Sequence, residues 1–195
     1  MKLWTKAILC GTISIAALLS AQEFKVGSQV TDFRINQLDG TAVQFSAIKS
    51  SSVTVLMFIS VQCPVSNSYN ERMNALYRDY SPKGVKFIAI NANSAESPSA
   101  VLEHARAHNF SFPVYKDQNN SVADEFGATV TPETYVIDST ATIRYHGSID
   151  DSMKESRVTT QRLRLALDAV LAGKEPSQTE TKAFGCSIKR VSKSS

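Results

Sequence analysis

The stretch Val53–Ile59 limits the fold of this chain more than any other part of the sequence. Its seven residues are apolar or β-branched, with no alternation of polar and apolar side chains. Such a run predicts a strand buried on both faces, which is typical of a central parallel strand. Because such a strand needs helices on both sides of its sheet, the chain is expected to be an α/β protein.

The remaining sequence alternates strand and helix patterns. An Asp39-Gly40 turn predicts an N-terminal β-hairpin within residues 29–45. Further strands are predicted over residues 85–90, 112–115, 134–137 and 143–146, and helices over residues 65–80, 98–108, 121–126 and 158–171. This order predicts a sandwich in which helices flank a central mixed sheet.

The first residues have the order of a secretory signal peptide. An apolar run over residues 7–19 begins beside Lys2 and Lys6, and the small Ala21 follows it. The run is shorter than the roughly 20 residues that span a bilayer. The protein is therefore expected to be exported to the periplasm or the outside, with an uncleaved membrane anchor as the alternative. The expected parts are a signal peptide (1–21), one domain (22–173) and a polar, irregular tail (174–195).

Composition and charge exclude several classes of protein. A hydrophobic content of 43% excludes a disordered chain, and a formal net charge of +3 is too small to indicate a nucleic-acid partner. Three cysteines are too few for a disulfide scaffold. Because Cys10 lies in the signal segment, the exported chain keeps Cys63 and Cys186, the minimum for one internal disulfide in an oxidising compartment.

Cys63 is the predicted nucleophile. It follows the buried strand within four residues, and Pro64 suits the first turn of a helix. The free N–H groups and the positive end of a helix dipole favour a thiolate at such a position. The alternative is that Cys63 is a small buried hydrophobic residue.

The segments Phe58–Ser66 and Val130–Pro132, together with the order of elements, resemble the thioredoxin-like superfamily. The resemblance is to its exported redoxin and AhpC-TSA (peroxiredoxin-like) branch and covers residues from about 27 to 172. It implies a three-layer thioredoxin-like sandwich, thiol chemistry, and a cis-proline at Pro132 that faces the active cysteine. Support for that cysteine is expected from Ser60, Pro64, Ser66, Thr131, Pro132 and Glu133.

Two departures separate the sequence from the best-known motifs of this superfamily. Ser66 replaces the second cysteine of C-x-x-C, although its hydroxyl can hydrogen-bond the neighbouring thiolate. Ser60 fits the threonine of the peroxiredoxin motif P-x-x-x-T-x-x-C, but Leu56 stands where the proline belongs. No motif assigns an arginine to the site, and Arg72 and Arg144 are candidates only.

The segments Gly147–Asp151 and Gly185–Lys189 resemble the ends of a poorly characterised bacterial group of thioredoxin-family proteins. This narrower resemblance implies a fold and a class of chemistry, but no substrate. Within the second segment, Cys186 lies 123 positions after Cys63. A mobile tail would let Cys186 resolve an oxidised Cys63. The alternatives are a permanent structural disulfide, or a thiol that is free or pairs with another chain.

The expected function is therefore that of a thiol-dependent oxidoreductase in which Cys63 attacks a peroxide or a disulfide. Such an enzyme needs a thiol reductant, but no cofactor and no metal. Ser66 favours a different class, a redox-inactive module that binds extended peptides. A copper chaperone is disfavoured. Exported thioredoxin-like copper chaperones use two cysteines in C-x-x-x-C, and this chain has only Cys63 in the corresponding segment.

The other polar residues fit ordinary structural roles. His104 and His108 share one face of a predicted helix and are expected to be solvated, as no third metal ligand is near. Glu133 either transfers protons or is an exposed loop charge. Asn91 and Asn93 are expected to make turn hydrogen bonds, and Asp150 and Asp151 are expected to form a turn or a helix cap.

Overall fold

The computed structural model describes residues 23–192. The predicted signal segment, with Cys10, lies outside this range. Within the described range, no helix is long and apolar enough to cross a membrane.

Within residues 23–192, nine strands and six α-helices form the domain. The strands are β1 (Arg34–Gln37), β2 (Ala42–Gln44), β3 (Val53–Ile59), β4 (Val85–Asn91), β5 (Val114–Lys116), β6 (Val130–Thr131), β7 (Glu133–Ile137), β8 (Ile143–Gly147) and β9 (Cys186–Ser187). The helices are α1 (Phe45–Ile48), α2 (Pro64–Asn67), α3 (Asn70–Tyr80), α4 (Pro98–Ala107), α5 (Ser121–Phe126) and α6 (Arg162–Leu171). These elements confirm the predicted α/β class.

The central sheet is mixed, with strand order β2-β1-β5-β4-β3-β7-β8. Strand β3 lies parallel to β4 and antiparallel to β7, and all seven of its residues are buried. Leu56 and Phe58 pack into one core layer, while Val55 and Met57 pack into the other. The unbroken apolar pattern of β3 therefore reflects two cores, one on each side of the sheet.

The predicted helix over residues 65–80 is divided into α2 and α3. The Ser68 hydroxyl donates to the carbonyl oxygen of Val65 at 2.7 Å. In a continuous helix the Val65 carbonyl would accept the Tyr69 N–H. Here the Tyr69 N–H donates instead to the carbonyl oxygen of Ser66. Helix α2 therefore has a single turn, and it begins directly after Cys63.

The last helix begins at Arg162, four residues later than predicted. The Thr159 N–H donates to the Asp151 carboxylate at 3.0 Å. This bond holds Thr159 in the preceding loop, so the helix starts only after it.

Residues 174–192 of the tail are mostly irregular, as predicted, but they are packed against the domain and do not form a mobile arm. Strand β9 pairs antiparallel with β6. Ile188 is 7% exposed and belongs to the core layer that contains Phe58. Thr181 donates its N–H to the carbonyl oxygen of His146 in β8 at 2.9 Å. The tail is therefore a built part of the fold.

Replacement of Ile188 tests whether the tail contributes to the stability of the domain. Ile188→Ala is expected to lower the free energy of unfolding by about 2–4 kcal/mol, because it leaves a cavity in a packed core. The matched control is Ser187→Ala at the exposed neighbouring position, which should change it by less than about 0.5 kcal/mol. Urea denaturation measures both. An equal, small effect of the two variants would contradict a packed tail.

Candidate functional site

Cys63 occupies the N-cap of α2, as the sequence predicts, and Pro64 is the first helical residue. The side chain is 2% exposed. Its sulfur accepts the Ser66 N–H at 3.3 Å and donates to the carbonyl oxygen of Thr131 at 3.3 Å. The sequence analysis expected the Ser66 hydroxyl at this sulfur. The structure places the Ser66 N–H there instead, and the Ser66 hydroxyl accepts the N–H of Ser60.

The peptide bond between Thr131 and Pro132 is cis, as the family resemblance implies. Thr131 is the last residue of β6 and directly precedes the cis-proline. Its carbonyl oxygen accepts the hydrogen bond from the Cys63 thiol at the start of α2. The segment that carries the proline therefore faces the cysteine directly.

Cys186 also lies beside Thr131. The β6–β9 pairing places Cys186 opposite Thr131 in register, and both Cys63 and Cys186 are free thiols. The two cysteines line one cavity of about 190 Å³. Its other lining residues are Ser60, Gln62, Asn93, Ala95, Glu96, Ser187 and Lys189.

The surroundings move the pKa values of the two thiols in opposite directions. Burial alone would raise the pKa of Cys63, but hydrogen bonds from the Cys186 thiol and the Ser66 N–H outweigh it, so the pKa is lowered. The pKa of Cys186 is raised, first by its hydrogen bond to the Cys63 side chain and then by burial. Cys63 is therefore the thiol that ionises more readily.

Gly185 lets the tail approach the cis-proline loop. Its φ is +154°, and an added Cβ would lie 1.9 Å from the carbonyl oxygen of Thr131. No side chain fits there, so only glycine can precede Cys186 at this distance.

A buried carboxylate that the sequence analysis did not identify holds the loop before Cys63. Glu96 is 3% exposed and accepts the N–H groups of Val61 and Gln62, both at 2.9 Å. It also accepts the Ser60 hydroxyl at 2.6 Å, and the same hydroxyl accepts the Cys63 N–H at 3.2 Å. Ser60 thus links the Glu96 carboxylate to the backbone of Cys63.

The amides of Asn91 and Asn93 also donate to Glu96. Both were expected to make turn hydrogen bonds, but they face this carboxylate instead. Behind them, the buried Lys116 donates to the Asn91 side chain and the Asn93 carbonyl, each at 2.6 Å. Burial alone would raise the pKa of Glu96, but the Ser60 hydroxyl, the two loop N–H groups and the Asn91 amide hold it below its usual value.

Glu133 is buried, so it is not an exposed loop charge. Its carboxylate accepts the N–H groups of Thr129 and Val130 at 2.8 and 3.1 Å and contacts His146 Nε2 at 2.6 Å. Burial would raise the pKa of Glu133, but the bonds to His146 and to these N–H groups lower it. These contacts position the segment that leads to Pro132.

The remaining histidine and aspartate candidates lie away from this cavity. The rings of His104 and His108 are 4.3 Å apart, and His104 contacts Asn70. Both histidines are partly buried and not fully solvated. Among residues 23–192, no group of three or more His, Cys, Asp and Glu side chains is placed to hold a metal ion. Asp151 binds the Thr159 N–H in a loop.

The two arginine candidates are held in ion pairs elsewhere. Arg72 pairs with Asp150 at 2.5 Å, and this ion pair is largely buried. Arg144 pairs with Asp138 at 2.6 Å. Neither arginine lines the cavity beside the cysteines.

A cis-proline loop that faces a cysteine at a helix start, on a mixed sheet between two helical layers, defines a thioredoxin-like thiol protein. The fold is shared with peroxidoxin BcpB from Mycobacterium tuberculosis, with a TM-score of 0.57 and 20% identity over 77% of this chain and 96% of that one. Residues 26–146 match the AhpC/TSA family, to which the chain belongs. The predicted fold and the class of thiol oxidoreductase or peroxidase are confirmed at the level of this family.

Three other similar proteins extend this comparison. An uncharacterized conserved protein from Geobacillus kaustophilus is 34% identical, with a TM-score of 0.81 over 88% of this chain and 95% of that one. The hypothetical protein SMc02350 from Sinorhizobium meliloti 1021 is 31% identical, with a TM-score of 0.80 over 88% and 98%. The thiol-disulfide oxidoreductase ResA from Bacillus thuringiensis subsp. konkukian (strain 97-27) is 26% identical over 67% of this chain and 76% of its own.

Glu96→Gln tests the role of the buried carboxylate. At pH 7 the variant is expected to lose about 1–3 kcal/mol of unfolding free energy, because N–H groups bond a charged acceptor more strongly than an amide. The contribution of a carboxylate with a lowered pKa is full above its unfolded value, about 4.5, and is lost as the pH falls through the folded value. The difference between the two proteins should therefore shrink below about pH 4.5.

Denaturant titrations at several pH values measure this difference. Glu103→Gln, at an exposed position of the helix that follows Glu96, is the matched control and should have little effect at any pH. A pH-independent loss in Glu96→Gln would show that shape, and not charge, is what the site requires.

Proposed function

We propose that this protein is an exported thiol-dependent oxidoreductase whose redox pair is Cys63 and Cys186. The observation that carries the proposal is that two free thiols, 123 positions apart in sequence, line one small cavity. Their pKa values differ in the direction that a nucleophile and a resolving thiol require. The order of the signal segment supports export, where two thiols can cycle with a disulfide.

The geometry supports a small hydroperoxide as the oxidant. Cys63 is 2% exposed, and the adjoining cavity of about 190 Å³ is below the size of typical ligand sites. The Cys63 thiolate would attack the outer peroxide oxygen, so that the O–O bond breaks and Cys63 becomes a sulfenic acid while an alcohol or water leaves. Cys186 would then attack that sulfur, releasing water and forming a disulfide.

A second candidate is thiol–disulfide exchange with another protein. The relative ResA is named a thiol-disulfide oxidoreductase, and neither candidate arginine lines the cavity of the two cysteines. In this reaction the Cys63 thiolate attacks a substrate disulfide, so that one substrate thiol leaves and a mixed disulfide forms. Cys186 then attacks the Cys63 sulfur of the mixed disulfide, which releases the second substrate thiol and forms the Cys63–Cys186 disulfide. Both candidates need a thiol reductant and use the same pair of cysteines.

Cysteine variants test the pair, with Cys10 replaced by serine throughout so that two thiols remain. One equivalent of hydrogen peroxide should convert the parent protein to a species lighter by two hydrogen atoms, with a Cys63–Cys186 peptide link. Cys186→Ser should instead accumulate a Cys63 sulfenic acid that dimedone traps, and Cys63→Ser should react far more slowly. Mass spectrometry of intact and digested protein measures all three.

Two outcomes would contradict the proposal. If Cys186→Ser recycles like the parent protein, Cys186 is not the resolving thiol. If alkylation rates against pH give Cys63 a pKa at or above the free value of about 8.5, the thiol is not activated. The redox-inactive peptide-binding module would then be the better description.

Gly185→Ala tests whether the docked tail brings the thiols together. Its methyl group would meet the Thr131 carbonyl. Disulfide formation should therefore slow by about tenfold or more, since the strained φ alone costs about 1–3 kcal/mol. Gly173→Ala is the matched control, because Gly173 also has a positive φ, +68°, but open space around it. Equal rates in the two variants, measured by quenched alkylation, would argue against docking at Thr131.

A further inference from the structure

Three exposed polar side chains form the rim of the cavity beside the two thiols. They are Gln62, Ser187 and Lys189, each of which lines the cavity and faces solvent. An amide, a hydroxyl and an ammonium group all donate hydrogen bonds, and the ammonium group also carries a positive charge. Because Cys63 itself is 2% exposed, an oxidant that approaches its sulfur first meets these donors and this cation.

The charge of Lys189 is available to a ligand. Within residues 23–192, its side chain makes no hydrogen bond, ion pair or ring contact. The next residue behaves differently, because Arg190 pairs with Asp124 at 3.2 Å and donates to the carbonyl oxygen of Ala128 at 2.6 Å. Lys189 therefore offers a free cation at the rim, while the charge of its neighbour is already paired.

The backbone of Lys189 is held in place beside the cavity. Its N–H donates to Asn93 Oδ1 at 2.7 Å, and its carbonyl oxygen accepts the Ser94 N–H at 3.0 Å. The preceding residue, Ile188, is packed in the core. These contacts fix the Cα of Lys189 without using its side chain, so a substitution at this position leaves them intact.

The one carboxylate among the lining residues does not cancel the charge at the rim. Glu96 is buried, and it accepts the Ser60 hydroxyl and two loop N–H groups. The buried Lys116 lies behind it, linked through the Asn91 side chain. Because the Glu96 charge is met by these internal donors, the Lys189 charge stays uncompensated where the cavity opens.

We propose that Lys189 makes the protein select peroxides that carry a negative charge. The inference rests on the proposed reaction of Cys63 with a hydroperoxide. A sphere of 190 Å³ is about 7 Å across, so the charge of such a peroxide would lie within a Debye length, about 8 Å, of the ammonium group. A cation at this distance raises the local concentration of an anion that the Cys63 thiolate would otherwise repel. It also stabilises the negative charge that grows on the leaving oxygen.

Peroxymonosulfate and hydrogen peroxide are a matched pair of probes, because both transfer OH to sulfur. The Cys63 thiolate attacks the terminal oxygen, the O–O bond breaks, and Cys63 becomes a sulfenic acid. The leaving group takes the electron pair, and it is sulfate from HOOSO₃⁻ and hydroxide from hydrogen peroxide. At neutral pH only peroxymonosulfate is an anion before it reacts, so a cation at the rim favours it selectively.

The quantity that tests the proposal is the rate constant for peroxymonosulfate divided by that for hydrogen peroxide. The full chain with Cys10→Ser is mixed with each oxidant without reductant and quenched with N-ethylmaleimide. Mass spectrometry then measures the loss of the Cys63 thiol. Lys189→Ala is expected to lower the ratio by about tenfold at low salt, because the electrostatic enrichment of the anion is lost. Lys189→Arg keeps the charge and should keep the ratio.

Lys182→Ala is the matched control, because Lys182 is an exposed lysine of the same tail that does not line the cavity. Its ratio should equal that of the parent protein. A rise from about 0.02 to 0.5 M NaCl should lower the parent ratio towards that of Lys189→Ala, since salt screens the attraction.

Two outcomes would overturn the inference and leave the proposed reaction of Cys63 intact. One is an equal ratio in Lys189→Ala and the parent protein, which includes the case in which both rate constants fall together. The other is an equal fall in Lys182→Ala, because overall charge would then explain the preference. If Cys63 reacts with neither oxidant faster than it does in the unfolded chain, the proposed function itself fails.

Discussion

The carbonyl oxygen of Thr131 is the contact on which the site depends. It accepts the Cys63 thiol at 3.3 Å, and its own residue pairs with Cys186 across the β6–β9 sheet. The approach is so close that no residue larger than glycine fits at Gly185. One backbone atom thus joins the helix start, the cis-proline loop and the tail. Because that atom belongs to the backbone, its position follows from the fold and not from the identity of the Thr131 side chain.

A second set of contacts fixes the other side of the cysteine. The Glu96 carboxylate gathers the N–H groups of residues 61 and 62 and the Ser60 hydroxyl, at the end of the central strand. The buried Ser60 hydroxyl would cost about 1–3 kcal/mol if it had no such acceptor. The loop before Cys63 is therefore held by a charged group, supported from behind by Lys116 through Asn91. Cys63 therefore lies between a hydrogen-bonded loop and a docked strand, which suits a site whose geometry is formed before substrate arrives.

Local patterns in the sequence were enough to predict most of the fold. The unbroken apolar run at β3 and the Cys63-Pro64 helix start are both properties of neighbouring residues, and both are confirmed. The cis bond at Pro132 followed from family resemblance, because the local sequence favours a cis bond only rarely. The contacts of Glu96 and the docking of the tail were missed, since each depends on segments far apart in sequence. An acidic residue after β4, at the sheet edge where β3 also ends, was the available signal for Glu96.

The separation of the two cysteines along the chain links oxidation to the stability of the whole domain. A bond between Cys63 and Cys186 would close a loop of more than 100 residues, and on a chain-entropy model this restricts the unfolded chain by about 4–5 kcal/mol. By thermodynamic reciprocity, the folded domain then favours the bond by the same amount relative to the unfolded chain. Each catalytic cycle would therefore alternate the protein between a crosslinked form and a form held by packing alone. The free energy of unfolding would then depend on the concentrations of oxidants and thiols in the surroundings.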